Sequence, residues 1–510
     1  MNKNKWKFSI IIGLLLCMLA ACSSTNSATE SKEKNEEKSL TFLSNFLSDT
    51  LDPQLNYTPI RAGITETLVK TTEDLKVEPW LAKEWKTEDD GLTWTFTIRD
   101  GITFQNGNKV DAEAVKASLD RTIKVSEAMK SALKIKEMKA EGQTLTITTE
   151  EPSPTLPTEL VHPNTSIIDV TEADIEKKPV GTGPFAVVSS SPNSKLELKK
   201  YKNYWDGEPK LDKVTLTFNE DANARTAALQ SGEADIVYRP AVESLETLKA
   251  DQSMIVDVVP SLRTQMLLYN AAVEAFKDQN VRKAFDVLLD RKEVVDYTLA
   301  GQATIAEGPF LTDFPFAAET PKKKFGTEAA KAYLEKAGYE IKNGKAVKEG
   351  KQLSFKLITY SFRPELPLMA QLLQSEAKKI GVKVDIQQVE NIDEYMAAHD
   401  DWAIATYSLV TAPRGDSGYF LNSVYMDGGA FNVGHFENEE LTNKISELNR
   451  TVEEAKRSEL AKDAGEVIER ETLHSSIVHP NNFVAYKDHV KNWITSKSEY
   501  YVITKDLDVK

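Results

Sequence analysis

The sequence is poor in the residue types that build covalent cross-links and metal sites. Its 510 residues include two cysteines, Cys17 and Cys22, and six histidines. This count excludes a disulfide-rich scaffold, so the folded state has to be stabilised by packing. His474 and His479 lie five positions apart and lack the intervening glutamate of the common helical zinc motif. A zinc hydrolase site of that type is therefore excluded.

Excess positive charge and long hydrophobic runs are also missing. The chain carries 63 basic and 78 acidic residues, a net charge of −15 at pH 7. Nucleic-acid partners need clustered lysine and arginine, and no basic stripe is present, so we expect no nucleic-acid partner. The long uncharged apolar run, Phe8–Ala21, has 14 residues, which is short for a membrane-spanning helix. A bundle of membrane helices is therefore excluded.

The N-terminus has the features of an export signal. Lysines precede the apolar run, and the run ends in Leu-Ala-Ala-Cys at Cys22. This ending resembles the bacterial lipobox, whose cysteine is acylated and becomes the first mature residue. We therefore predict a signal peptide over residues 1–21, a lipid on Cys22 and a flexible polar tether over 22–38, which cannot bury apolar surface. The predicted location is the outer face of the cell membrane; the alternative is a plain secretory signal.

The motifs of common enzyme classes are absent. The nearest approach to a phosphate-binding loop, Gly338–Lys345, has the wrong spacing, and Gly-x-Ser-x-Gly does not occur. The acidic pairs Asp89-Asp90 and Asp400-Asp401 are typical of solvated turns rather than of a glycosidase site. We therefore predict that the protein is not an enzyme, with an extracellular hydrolase as the alternative from another class.

Strand-like and helix-like segments alternate from Leu40 onward, which predicts an α/β fold. The predicted strands are 92–98, 214–218, 235–238, 353–359, 382–389, 402–407, 483–486 and 500–503. The predicted helices are 111–119, 222–231, 329–337, 367–380 and two within 439–471. The extended segments after residue 480 are too short for a separate domain, so we expect them to complete an earlier sheet. Two or more strands would then cross between lobes, which is a natural place for a hinge.

Seven segments, in the same order, resemble the family 5 solute-binding proteins of bacterial peptide and nickel ABC importers. They are Leu51–Thr58, Val77–Trp85, Trp94–Gly107, Val180–Phe185, Asn203–Lys210, Asp278–Arg291 and Gly415–Leu421. The resemblance implies a two-lobed periplasmic-binding-protein-like fold of type II, with an extra subdomain and with crossing strands that join the lobes. It also implies closure around a ligand, a partnership with permease subunits, a separate ATPase and a monomeric protein.

The domain boundaries follow from the same resemblance. They are 39–60, 181–262 and 484–510 for a discontinuous lobe I, 61–180 for a subdomain inserted into it, and 263–483 for lobe II.

Two pocket loops are most similar to those of the nickel-binding members. These loops are Thr359–Pro367 and Tyr407–Asp416. The resemblance implies a ligand of Ni(II), or a related divalent metal, in a small chelate such as histidine or another metallophore, and no cofactor. The alternative ligand is a di- or oligopeptide.

The resemblance also implies individual site residues. Arg363 and Arg414 would bind carboxylates, since a guanidinium presents a planar fork of donors that matches a carboxylate. His162 stands where a nickel-binding relative has a pocket arginine, and a neutral imidazole is a good Ni(II) ligand. We therefore predict direct metal contact by His162, with a structural or chelator-bonding histidine as the open alternative. The other predicted ligand-binding residues are Tyr57, Arg61, Tyr407, Asp416 and Tyr425.

Overall fold

A computed structural model describes residues 37–46, 48–88 and 91–510. The predicted signal peptide, the lipidated Cys22, nearly all of the predicted tether and the Asp89-Asp90 pair lie outside the described residues. Among the described helices, none combines the length and the apolar character that a membrane crossing requires.

The strands alternate with helices along the chain. In order they are β1 Ser39–Ser44, β2 Val69–Thr71, β3 Val77–Pro79, β4 Ala82–Thr87, β5 Thr93–Ile98, β6 Ile135–Glu141, β7 Thr144–Thr149, β8 Phe185–Ser191, β9 Lys195–Lys200, β10 Lys213–Phe218, β11 Ile236–Tyr238, β12 Met254–Pro260, β13 Arg263–Tyr269, β14 Ala303–Ile305, β15 Glu340–Lys342, β16 Lys345–Lys348, β17 Lys351–Gln352, β18 Ser354–Tyr360, β19 Lys383–Val389, β20 Ile404–Val410, β21 His474–Lys487, β22 Val490–Lys491 and β23 Asp508–Val509.

The helices range from single turns to 18 residues. In order they are α1 Thr58–Arg61, α2 Ala112–Val125, α3 Glu127–Leu133, α4 Leu156–Glu159, α5 Ala222–Ser231, α6 Leu245–Ala250, α7 Glu274–Lys277, α8 Gln279–Leu288, α9 Arg291–Glu293, α10 Thr327–Lys336, α11 Glu365–Lys379, α12 Ile392–Ala398, α13 Gly418–Tyr425, α14 Glu439–Leu448 and α15 Glu454–Glu471. Short 3-10 turns at Pro163–Thr165 and Val242–Ser244 and a π-helical turn at Val294–Thr298 complete the set.

One long strand joins the two halves of a 12-stranded mixed sheet. The sheet has the order β19-β18-β20-β13-β21-β11-β1-β10-β9-β8, and β12 and β14 also pair with β21. The first half of β21 pairs with β13, and its second half pairs with β11 and β12. The chain therefore crosses between the halves twice, within β21 and at the Ser261-Leu262 junction between β12 and β13.

Separate hydrophobic cores lie on the two sides of this crossing. The largest cluster draws its buried residues from 266–478, and another, built on β1 and β8–β11, includes residues of the C-terminal segment up to Val509. A third cluster, within 68–167, packs α2 and α3 against the four-stranded sheet β4-β5-β7-β6. The region that the resemblance treats as an inserted subdomain thus has a core of its own.

The α/β prediction is confirmed, and several predicted elements are found almost unchanged. Helix α5 begins after Asp221, whose carboxylate accepts hydrogen bonds from two backbone amides, and ends at Gly232 with φ of +81°. Such a cap and such a left-handed stop are strong helix boundaries. The predicted strand at 500–503 was wrong: this segment is not a strand, and Ile503 donates a single backbone hydrogen bond to Arg61. Its hydrophobic character reflects burial rather than sheet pairing.

Candidate functional site

A cavity of about 170 Å³ lies where the segments on either side of the crossing meet. One side is formed by Tyr57, Arg61 and the C-terminal segment at Glu499 and Tyr500, with His162 beside them. The facing side includes Arg263, at the start of β13, and the loop that follows β20. Strand pairing explains this second side, because Arg263 lies opposite Val410 in the β13–β20 ladder.

Arg61 is fixed to one side of the cavity by Glu499. Its Nε donates to the Glu499 backbone carbonyl at 3.1 Å, and its Nη2 lies 3.8 Å from the carboxylate. Its guanidinium also lies over the Phe46 ring at 4.0 Å. Burial alone would raise the pKa of Glu499, but Arg263, Arg61 and a hydrogen bond from Tyr238 hold that pKa below its usual value. Glu499 is therefore a carboxylate whose charge is already compensated.

Arg414 forms a buried ion pair across the cleft. Its Nη2 lies 2.9 Å from both carboxylate oxygens of Glu159 and donates a hydrogen bond to Oε1. Burial lowers the pKa of Arg414, but the charge and hydrogen bond of Glu159, together with Tyr500 and Tyr419, raise it above its ordinary value. The guanidinium also lies 4.9 Å from the centre of the Tyr419 ring. Arg414 reaches the cavity as predicted, but part of its donor capacity is taken by Glu159.

His162 lines the cavity and is buried. It precedes the 3-10 turn Pro163–Thr165, and its Nδ1 accepts a hydrogen bond from the backbone N–H of Asn164 at 3.1 Å. Its Nε2 lies 3.2 Å from the hydroxyl of Tyr57, and the two rings meet edge to face. Burial and the nearby charge of Arg414 lower the pKa of His162 well below its ordinary value. The imidazole is therefore neutral at pH 7.

Three guanidinium groups near the cavity have no ion pair or side-chain hydrogen bond among the described residues: those of Arg239, Arg263 and Arg363. Burial and the charges of Arg263 and Arg239 lower the pKa of Arg363 to about 10. The three groups thus repel one another, with Glu499 as the nearby counter-charge. Unpaired guanidinium groups beside a cavity favour an anionic ligand, and carboxylates fit their donor geometry.

Tyr407 and Tyr425, predicted to bind ligand, lie outside the cavity lining. The Tyr407 hydroxyl donates to Asp393 Oδ1 at 2.6 Å, and the Tyr425 hydroxyl is 3.0 Å from His474 Nδ1. Both side chains belong to the largest hydrophobic cluster. Each tyrosine is therefore held in the core by its own polar partner, and a role of either one in ligand binding stays a prediction.

Asp416 has a structural position rather than one in the cavity. Its carboxylate accepts a hydrogen bond from the backbone N–H of Gly418 at 2.7 Å, at the start of α13, and pairs with Arg457 at 2.7 Å. It therefore fixes the loop that carries Arg414, and a direct contact of Asp416 with ligand stays a prediction. Of the predicted residues, Tyr57, Arg61, His162 and Arg414 lie together in the lining, and Arg363 lies close to Arg263.

Sequence reasoning missed Arg263, Tyr419 and Tyr500, which line the cavity, and Glu159, which holds Arg414. Arg263 stands alone at the beginning of a strand, and no local motif marks it. Tyr419 lies inside Gly415–Leu421, a segment that the resemblance had indicated as a pocket loop, so its aromatic ring was the available signal. Tyr500 was interpreted as part of a strand.

Comparison with known proteins decides the family. The model of the bacterial extracellular solute-binding proteins, family 5, matches residues 76–432. The chain belongs to this family. It is 35% identical to the nickel-binding protein NikA of Staphylococcus aureus over 446 residues, which cover 87% of this chain and 89% of that protein.

Two solved structures of family 5 proteins extend the comparison. The nickel ABC transporter protein from Bacillus halodurans is 52% identical, with a TM-score of 0.82, and the match covers 93% of this chain and all of that one. S. aureus NikA in complex with Ni(L-His)2 is 34% identical, with a TM-score of 0.80 and the same coverage. The fold is therefore the two-lobed α/β fold of family 5 binding proteins, as the sequence predicted.

Proposed function

We propose that this family 5 protein is the extracytoplasmic binding component of an ABC importer and captures nickel, or a related divalent metal, as a small chelate. It would deliver the chelate to permease subunits, and a separate ATPase would supply the energy. The likeness to S. aureus NikA, whose structure holds Ni(L-His)2, supports nickel as the metal. The observation that carries the proposal is the cavity between the two sides, whose lining includes Arg263, a guanidinium with no ion pair or side-chain hydrogen bond among the described residues.

The cavity suits a chelate that carries carboxylates and rings. Arg263 and the neighbouring Arg363 offer donors to carboxylate oxygens. Tyr57, Tyr419 and Tyr500 supply aromatic surface and hydroxyl groups, which suit a planar ring such as imidazole. A metal chelate of histidine combines both features.

The position of the cavity between the two sides explains how the protein would capture its ligand. A ligand that contacts both sides stabilises the closed arrangement through its greater affinity for that state. Such a protein binds and releases its ligand unchanged, so no catalytic residues are assigned. The proposed lobe I comprises 39–60, 181–262 and 484–510, the proposed lobe II is 263–483, and 61–180 is the proposed subdomain. A lipid on Cys22 would keep the protein at the membrane beside the permease.

Isothermal titration calorimetry tests this function on the purified protein. The titrants are Ni(II) with excess L-histidine, free Ni(II), L-histidine alone, and a mixture of di- and tripeptides. We expect saturable heat at one site with Ni(II) plus histidine and a much weaker response to each component alone. Saturation by a peptide without response to the chelate would replace metal capture with peptide capture. Turnover of a peptide or ester would revive the hydrolase alternative.

A further inference from the structure

The hydrogen bonds of His162 determine which of its ring nitrogens carries the proton. A backbone amide is a donor, so the Nδ1 atom that accepts from Asn164 N–H must present its lone pair. In a neutral imidazole the remaining proton is then on Nε2. Nε2 is the nitrogen that faces Tyr57 beside the cavity. The ring therefore directs this N–H at the Tyr57 hydroxyl oxygen, 3.2 Å away, whereas a metal needs a lone pair.

This arrangement is the reverse of that in metal-binding histidines. A coordinating imidazole normally donates its second N–H to a carboxylate or carbonyl, which leaves the other nitrogen free for the metal. In His162 the second nitrogen is Nδ1, and it faces the backbone N–H of Asn164, a donor in the 3-10 turn Pro163–Thr165. Coordination through Nε2 would move the proton to Nδ1, directly opposite the Asn164 N–H. The turn would then lose its cap.

The carboxylates near the cavity that could bind a metal already have hydrogen-bond or ion-pair partners. Glu499 accepts a hydrogen bond from Tyr238 and lies beside Arg61, while Glu159 is paired with Arg414. In the part of the chain that the structure describes, no group of three or more His, Cys, Asp or Glu side chains is arranged to hold a metal ion.

We propose that the protein supplies no ligand to the metal and that the Nε2–H of His162 donates to the Tyr57 hydroxyl oxygen, which leaves the hydroxyl proton of Tyr57 to donate to the chelate. This inference rests on the proposed function and narrows its ligand class to chelates whose own atoms fill the metal's coordination positions. The protein then selects its ligand through contacts with the chelator atoms rather than with the metal. It replaces the sequence-based prediction that His162 contacts the metal directly.

A matched pair of variants separates a donor from a metal ligand. His162→Gln places an amide N–H donor near the position of Nε2, whereas His162→Ala removes the donor. Each protein is titrated with Ni(II) plus excess L-histidine, and the visible absorption bands of the nickel are recorded free and bound. Thermal unfolding by circular dichroism checks that each variant is folded.

We expect the wild-type protein to bind without changing the nickel bands. His162→Gln should keep the affinity within about threefold, and His162→Ala should lose roughly tenfold, the effect of one hydrogen bond. A change of the nickel bands on binding that His162→Gln abolishes would overturn the inference, as would equal losses in both variants. Failure of the wild-type protein to bind the chelate would instead refute the proposed function.

Discussion

Arg414 and Glu159 are 255 residues apart in the sequence, yet Arg414 Nη2 lies 2.9 Å from both oxygens of the Glu159 carboxylate. The loop after β20 carries Arg414, and α4 ends at Glu159. The pair thus ties two distant parts of the chain together at the edge of the cavity. It also fixes the orientation of a guanidinium that faces the ligand region.

Removing one member of this pair should destabilise the protein. Arg414→Ala leaves the mostly buried Glu159 carboxylate, whose pKa burial already raises, without its counter-charge, so we expect the free energy of unfolding to fall by up to about 3 kcal/mol. The double variant Glu159→Leu/Arg414→Leu should recover most of that loss, because no buried charge remains. Denaturant unfolding measures both, and a double variant no more stable than Arg414→Ala would contradict the assignment. Chelate binding should be weakened in both variants.

Arg263 should contribute to binding but not to stability. Its guanidinium has no ion pair among the described residues; it is repelled by Arg363 and attracted by the more distant charge of Glu499. We expect Arg263→Ala to weaken chelate binding roughly 10- to 150-fold, the effect of a hydrogen bond to a charged group. The melting temperature should change little, because the lost attraction to Glu499 and the relieved repulsion of Arg363 oppose each other. Lys497→Ala is the matched control, since Lys497 also lines the cavity but pairs with Asp313. Equal affinity losses in the two variants would contradict direct binding of the chelate by Arg263.

Tyr407, which lies outside the cavity lining, and Tyr57, which lies in it, give a further test. Tyr407→Phe removes a hydroxyl that donates to Asp393, so we expect about 1 kcal/mol lower stability and unchanged chelate affinity. Tyr57→Phe removes a hydroxyl beside His162 in the cavity, and we expect it to weaken binding. Calorimetry measures the chelate affinity of both variants. A loss of affinity in Tyr407→Phe but not in Tyr57→Phe would show that the ligand contacts Tyr407 and would contradict the cavity described above.

Two glycines in the loops around α13 differ in their surroundings. Gly415 and Gly428 have φ angles of +75° and +72°, respectively. A Cβ at Gly415 would lie 1.9 Å from the Leu75 carbonyl oxygen, whereas a Cβ at Gly428 would meet nothing within 4 Å. Gly428→Ala should therefore cost about 1 kcal/mol of stability from its left-handed conformation, and Gly415→Ala clearly more. Because Gly415 follows Arg414, we also expect weaker binding in that variant alone; equal costs in both would argue against the close contact with Leu75.

Glu66 should make stability depend on pH near neutrality. Burial raises the pKa of Glu66 to about 7, despite hydrogen bonds from Tyr204 and Trp205. The folded state then binds this proton more tightly than the unfolded state, so the contribution of Glu66 to stability falls as the pH rises from about 4.5 to about 7 and levels off above. The expected loss is roughly 3 kcal/mol. Urea unfolding of the wild-type protein and of Glu66→Gln across this range isolates this contribution, because the buried histidines titrate alike in both: the difference in unfolding free energy between the two proteins should fall by that amount, and a constant difference would contradict the assignment.

Local signals allowed much of the fold to be predicted. Helix α5 has both of its boundaries marked by Asp221 and Gly232, and the alternating pattern before Ile98 gave strand β5. The first half of β21 was missed because its histidines and Pro480 break the usual pattern of a strand. That half forms a strand because β13 and β14 pair with it on its two edges, and this pairing is a property of the tertiary structure.

The site was predictable only where a motif surrounded the residue. Tyr57, His162 and Arg414 lie in segments with recognisable neighbours, and they line the cavity. Arg263 reaches the same cavity because β13 pairs with β20 opposite Val410, a long-range contact that no local pattern encodes. Tyr407 and Tyr425 illustrate the converse, since they lie close to pocket loops but point their hydroxyls at Asp393 and His474.

Native mass spectrometry of the purified protein, after incubation with Ni(II), L-histidine and a peptide mixture together, tests the central claim most directly. The account predicts a bound mass equal to one nickel with its histidine chelators, and its loss when histidine is omitted. A bound mass equal to a peptide, or to nickel without any chelator, would contradict it.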